Sequence, residues 1–239
     1  MKWGYFSAAH ILTLIAAGVM LLGVYLLLKD KTVKFQQAVL LPLSCTGLIA
    51  IVYNLVRWGD PIWNLPLHLC SINAMILPFV VVTRNRTFGN LLLVWCLGAL
   101  AALVMNFEMA ETMLFGESFL MYYFPHVFEF GVPLLLFKLR LVEKDSHCIG
   151  STMAITMALY TVVYLINKLI RALTGVPVNY MFSVEPTNPL VALFYKIIPY
   201  EYWYMYMVLP IVAVYLLIVY APQLAAKHQL RHCSVTNAN

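Results

Sequence analysis

A cysteine, two histidines and a glutamate are the residues of this sequence that could carry out covalent catalysis. The stretch "NLPLHLCSIN" (64–73) contains His68 and Cys70, and "YYFPHVFEF" (122–130) contains His126 and Glu129. A thiol can act as nucleophile, an imidazole as its base, and a carboxylate can orient the imidazole. Ionisable side chains are costly in apolar surroundings and usually face the interior of a helix bundle. We therefore take all four as candidate catalytic residues.

Helical spacing indicates how these residues are arranged. His126 and Glu129 are three apart and share one helix face, so Glu129 could hold one ring nitrogen and leave the other free as a base. Cys70 and Asn73 also share a face, which makes Asn73 a candidate contact for substrate or for an oxyanion. His68 and Cys70 are two apart and point about 200° away from each other, so His68 is predicted to support or cap. A second interpretation stays open, in which His126 and Glu129 only satisfy each other or a backbone carbonyl.

A second polar group lies at the end of the sixth apolar segment and in the loop after it. Asn167 and Arg171 are four apart on one face and could hold a lipid phosphate. Arg171 could instead extend to the membrane interface, as long basic side chains do. Asn179 and Tyr180 follow in a proline-containing loop, which is either a lid or an ordinary turn. These four residues and Asn73 are the predicted substrate-binding residues.

No cofactor and no metal site are predicted. His68, Cys70, His126 and Glu129 are chemically adequate zinc ligands, but no two of them have the i, i+4 spacing of a helix-borne pair.

The elements that position these residues are predicted to be membrane-spanning helices. Of 239 residues, 63% are hydrophobic and 10% are charged, whereas soluble domains contain about 25% charged residues. A bilayer core needs about 20 apolar residues per helix. The fold class is therefore all-α, a polytopic bundle of seven transmembrane helices in one domain, 1–239. The predicted spans are 7–28, 36–56, 63–83, 88–106, 118–139, 149–171 and 200–221.

The distribution of basic residues predicts the orientation of the bundle. With the N-terminus outside and the C-terminus cytoplasmic, ten of the fifteen Lys and Arg residues fall on the inner side. The candidate catalytic stretches then approach the extracytoplasmic leaflet. The net charge of +5 indicates topology rather than a nucleic-acid partner. The chain is expected to be a multi-pass cell membrane protein, in the plasma membrane if it is bacterial.

Two motifs carry a resemblance to a known family. "LPLHLC" (65–70), at the start of the third of seven spans, resembles the YwaF-type bacterial integral membrane proteins and, through them, the eukaryotic acyltransferase family of transmembrane protein 164. "NYMF" (179–182), followed by "PYEYWY" (199–204), is similar to the family's pattern near the seventh span. The resemblance implies lipid acyl transfer in which Cys70 carries the acyl group as a thioester and a histidine from a later span, here His126, acts as base.

Two classes of function remain open from the sequence. The first is an integral membrane lipid acyltransferase or thioester-forming lipase, whose partners are phospholipids that donate or accept an acyl chain. The second is a non-enzymatic transporter, transporter subunit or seven-helix sensor, in which the same polar residues line a pocket for a small ligand.

Overall fold

The computed structural model describes residues 1–105 and 107–236, without the side chains of Glu108 and of residues 224–236. Asn106, the predicted end of the fourth span, lies outside the described residues. Within the described ranges the chain forms nine α-helices and no strand. The helices are α1 (Ala8–Leu28), α2 (Val33–Ser44), α3 (Thr46–Trp58), α4 (Leu69–Thr83), α5 (Arg86–Val104), α6 (Glu117–Lys138), α7 (Cys148–Thr174), α8 (Pro189–Ile197) and α9 (Val208–Thr236).

Six helical segments are long and apolar enough to cross a membrane, and α4 is a shorter apolar helix. They correspond to the seven predicted segments, so the predicted all-helical membrane fold is confirmed. The second segment consists of α2 and α3 together, Val33–Trp58. It is divided at Cys45, three residues after Pro42, because a proline inside a helix removes one backbone hydrogen bond and bends the axis.

One boundary and one loop differ from the sequence-based prediction. The third span was expected to begin at residue 63, but α4 begins only at Leu69. Gly59 ends α3 in a left-handed conformation (φ 63°), and the Asp60 carboxylate then accepts hydrogen bonds from the backbone N–H groups of Ile62 and Trp63. This turn delays the helix, as turns closed by Asp side chains do. The loop before the seventh span also contains an unexpected short helix, α8.

Helices α5 and α6 form the centre of the bundle. In their most apolar stretches, 56% and 67% of the residues are buried, against 17–22% for the other four long segments. Helix α6 packs against α1, α2, α3, α4 and α5. A side chain on its inward face is therefore enclosed by protein, and His126 and Glu129 both belong to this helix.

Candidate functional site

The late start of α4 places Cys70 in the first turn of that helix. The first backbone N–H groups of a helix have no partner within it, and they create a positive potential. Cys70 is only partly buried. The thiol thus lies beside backbone N–H groups at the start of α4 that can stabilise negative charge on it.

Helices α4 and α6 bring three of the four predicted catalytic residues together. The Cys70 Sγ, one ring nitrogen of His126 and one carboxylate oxygen of Glu129 all lie within 4.8 Å of one another. Cys70 is separated from the other two by more than fifty residues, and α4 packs directly on α6. We call these three residues the thiol cluster.

A backbone carbonyl orients the imidazole of His126. Its Nδ1 lies 2.7 Å from the Tyr122 carbonyl oxygen, and because a carbonyl can only accept, Nδ1 carries the proton. Nε2 of the neutral ring then has a free lone pair. The described contacts include no hydrogen bond or ion pair between His126 and Glu129, so Tyr122 supplies the orientation that we expected from Glu129.

The Glu129 side chain is buried without compensation. It is 4% exposed, and its Oε2 has no hydrogen-bond partner among the described residues. A Cβ atom on Gly47 would lie 2.6 Å from Glu129 Oε1, so only a glycine at this position of α3 leaves room for the carboxylate. A buried carboxylate without a partner is strongly unfavourable. Its presence points to a proton, an imidazolium or a bound cation as the missing compensation.

Asn73 has a structural contact that follows from a proline. Pro133 lacks an N–H, so the Glu129 carbonyl four residues earlier loses its helical donor. The Asn73 side-chain amide donates to that carbonyl instead, at 3.3 Å. Asn73 is fully buried, and its Oδ1 has no partner among the described residues. Asn73 therefore joins α4 to α6 beside the thiol cluster and adds a second unsatisfied polar atom there.

His68 lies outside the thiol cluster. It occupies the N-cap position of α4, but its side chain makes no capping hydrogen bond. Its Nδ1 accepts a long hydrogen bond of 3.4 Å from the Met181 backbone N–H, and its ring contacts those of Tyr180 and Phe182. His68 therefore joins the start of α4 to the loop after α7, and the structure gives it a supporting position.

The predicted substrate-binding residues Asn167 and Arg171 are occupied by that same loop. The Asn167 amide is fully buried and donates to the Tyr180 carbonyl at 2.9 Å and to Ser183 Oγ at 2.8 Å. The Arg171 guanidinium donates to the Val178 carbonyl and to Glu185 Oε1, both at 2.8 Å. A role in binding lipid phosphate stays a prediction for both residues, and their present contacts stabilise the loop.

Asn179 and Tyr180 complete the same network. Asn179 accepts from the backbone N–H groups of Val184 and Glu185 through Oδ1 and donates to the Glu185 carbonyl. The Tyr180 hydroxyl donates to the Ile62 carbonyl, before α4. We call residues 176–185, held by Asn167 and Arg171, the capping loop. Its polar side chains hold the backbone in place, while its substrate role stays a prediction.

Two residues of the site were not identified from the sequence. They are Gly47 and Tyr122. The contributions of Gly47 and of the Tyr122 backbone depend on helix packing and side-chain rotamer, which leave no local pattern.

Taken together, the apolar helices and the thiol cluster define a multi-pass membrane protein with a candidate cysteine-dependent site. Residues 5–220 match the model of the TMEM164 family, so the chain belongs to this family. The predicted relation to transmembrane protein 164 is thereby confirmed at the level of the family. No match is found among curated proteins or among solved structures.

Proposed function

We propose that this protein is a membrane-embedded lipid acyltransferase that uses Cys70 as its nucleophile. The observation that supports the proposal most is the thiol cluster, in which sulfur, imidazole nitrogen and carboxylate oxygen lie within 4.8 Å. Nucleophile and base often lie beyond hydrogen-bond distance when no substrate is bound. Membership of the TMEM164 family agrees with a location in the membrane, where phospholipids surround the protein and are available as substrates.

In the first half-reaction, His126 Nε2 takes the proton of the Cys70 thiol, and the sulfur attacks the ester carbonyl carbon of a phospholipid. The ester carbonyl oxygen becomes an oxyanion, which the N–H groups in the first turn of α4 can stabilise. The carbon–oxygen bond to the leaving alcohol then breaks, and that oxygen takes the proton from His126. The products are a thioester on Cys70 and a lysophospholipid.

In the second half-reaction, a lysophospholipid hydroxyl gives its proton to His126 and attacks the thioester carbonyl. The carbon–sulfur bond breaks, and the sulfur recovers a proton from the imidazolium. Glu129 stabilises the imidazolium electrostatically in both steps, while the Tyr122 carbonyl keeps Nδ1 protonated and the ring oriented.

An apolar groove on α3 offers a surface for the substrate's acyl chain. It has a volume of about 540 Å³ and is lined by Leu48, Ile49, Val52, Tyr53, Val56 and Arg57. The groove lies on the same helix as Gly47, which is buried on the side of α3 that faces Glu129. Arg57, at its far end, could pair with a lipid phosphate. We propose the extracytoplasmic leaflet, and the plasma membrane in a bacterial cell, as the place of reaction.

Transfer of a labelled acyl chain between phospholipid and lysophospholipid in proteoliposomes tests the proposal. Cys70→Ser should lower the exchange rate by about 10³-fold or more, because the nucleophile acts as a unit with its base. Cys45→Ser is the matched control, since Cys45 is also partly buried but lies outside the thiol cluster. Equal exchange by wild type and Cys70→Ser would reject the mechanism. The absence of exchange by the wild-type protein would instead favour the transporter or sensor alternative, in which the unpaired atoms of Asn73 and Glu129 bind a small ligand.

A further inference from the structure

We propose that the thiol cluster is also a binding site for one divalent transition-metal ion of the zinc type. Cys70, His126 and Glu129 offer one sulfur, one nitrogen and one oxygen ligand within 4.8 Å of each other. Zinc accepts all three donor types at ~2.0–2.3 Å, and tetrahedral geometry then separates ligand atoms by ~3.3–3.6 Å. The ligand atoms must therefore move by about 1 Å from their present positions to coordinate a zinc ion, which small side-chain rotations can supply.

The unpaired carboxylate is the independent observation that points to a cation. Only 4% of Glu129 is exposed, and its Oε2 has no hydrogen-bond partner among the described residues. A metal ion is often the largest local charge in such a site. A divalent ion bound by one thiolate and one carboxylate has no net charge. The metal-bound cluster therefore meets the requirement of the apolar bundle, where an isolated charge is costly.

The hydrogen bond between His126 Nδ1 and the Tyr122 carbonyl is of the kind that metal-binding histidines make. Metal-binding histidines usually donate their second N–H to a carbonyl or carboxylate, which fixes the tautomer and the ring. Here Nδ1–H donates to the Tyr122 carbonyl, so Nε2 is available to coordinate. Three protein ligands leave a fourth position for water, as in open zinc sites. The sequence argument against a metal considered pairs on one helix, whereas this set is formed across α4 and α6.

Metal binding would compete with acyl transfer. On binding, the Cys70 thiol releases its proton to solvent, its sulfur joins the metal, and Nε2 loses the lone pair that would accept a proton. The metal-bound protein then has neither a free nucleophile nor a free base. This regulatory consequence rests on the proposed function, whereas the metal site itself does not.

Protection of Cys70 from alkylation tests the metal site without measuring acyl transfer. The chelator-treated protein in detergent is exposed to a maleimide with Zn²⁺ or Mg²⁺, and modification of Cys70 is followed by peptide mass spectrometry. Zn²⁺ should slow modification of Cys70 at least tenfold, and Mg²⁺, which prefers oxygen ligands, should not. Glu129→Gln should raise the Zn²⁺ concentration for half-protection by about 10–100-fold. Glu117→Gln, on the same helix but outside the cluster, should leave it unchanged.

The outcomes separate the two proposals. Unchanged labelling of Cys70 at Zn²⁺ concentrations that saturate ordinary zinc sites, or equal protection in Glu129→Gln and wild type, would overturn the metal site. Acyl exchange by the chelator-treated protein would in that case still support the acyltransferase. Protection by Zn²⁺ in a protein without acyl exchange would support the metal site and reject only its regulatory consequence.

Discussion

The thiol cluster and the capping loop are both polar groups in an apolar helix bundle, but they differ in how their hydrogen bonds are satisfied. At the capping loop, the amides of Asn179 within it and of Asn167, which holds it from α7, have partners for both donor and acceptor atoms. Beside the thiol cluster, Asn73 Oδ1 and Glu129 Oε2 have none among the described residues. Buried polar groups are normally paired, so the exceptions need an explanation. A paired buried polar group thus stabilises the fold, whereas an unpaired one is available for chemistry.

The largest effect short of removing the nucleophile is expected from His126→Ala. The loss of a positioned base lowers rates by about 10²–10⁴-fold, so acyl exchange should fall by that amount. The melting temperature of His126→Ala in detergent should stay close to that of the wild-type protein. His10→Ala provides the contrasting variant, because His10 is fully buried with both ring nitrogens paired. It should lower the melting temperature instead. The reverse pattern would break the comparison.

A smaller effect on exchange is expected from Gly47→Ala. The new Cβ would lie 2.5 Å from Ala74 Cβ and 2.6 Å from Glu129 Oε1, so either α3 or the carboxylate must move. Overpacking of this kind costs about 1–3 kcal/mol. Both acyl exchange and Zn²⁺ protection of Cys70 should weaken. Gly18→Ala is the control, because a Cβ there meets nothing within 4 Å. If Gly47→Ala behaves like Gly18→Ala in both assays, the carboxylate has no role in the site.

Asn167→Ala, which removes a contact to the capping loop, should lower thermal stability more than it lowers the rate of acyl exchange. It leaves the Tyr180 backbone N–H unpaired, while the Tyr180 carbonyl keeps donors from Ser183. A buried unpaired group costs about 1–3 kcal/mol. Thermal unfolding in detergent should show the loss, while exchange per folded molecule stays close to wild type. Asn54→Ala is a matched control, since Asn54 is exposed. A loss of exchange without a loss of stability would restore the predicted substrate role of Asn167.

The smallest effect concerns the ion pair that joins α7 to the turn before α9. The Lys168 ammonium, 2.9 Å from Glu201 Oε1, and the Tyr164 hydroxyl hold the pKa of the Glu201 carboxyl below its usual value. A lowered pKa contributes stability above the unfolded-state pKa and loses it as pH falls through the folded-state value. The melting temperature should therefore decline slightly more between neutral and acidic pH in wild type than in Glu201→Gln. Identical pH profiles would show that this partly exposed pair adds nothing.

The sequence predicted the spans well because each is a long apolar segment that only a membrane explains. It also placed His126 and Glu129 on one face, since i, i+3 spacing is a local property. The contact between Cys70 and α6 is not local, and it was predicted from the chemistry of a nucleophile and its base, with support from the family resemblance. The Tyr122 carbonyl and Gly47 could not be predicted, because their roles arise from a rotamer and from helix packing. The loop contacts of Asn167 and Arg171 could not be predicted, because polarity alone does not reveal which partners lie elsewhere in the chain.

Mass spectrometry of the intact protein shows directly whether Cys70 carries an acyl group. After incubation of the chelator-treated protein with phospholipid, we expect one added acyl mass that maps to Cys70. Neutral hydroxylamine should remove it, and it should be absent from Cys70→Ala but retained in Cys45→Ser. An acyl adduct at another residue, or no adduct while acyl exchange proceeds, would show that Cys70 does not carry the acyl group.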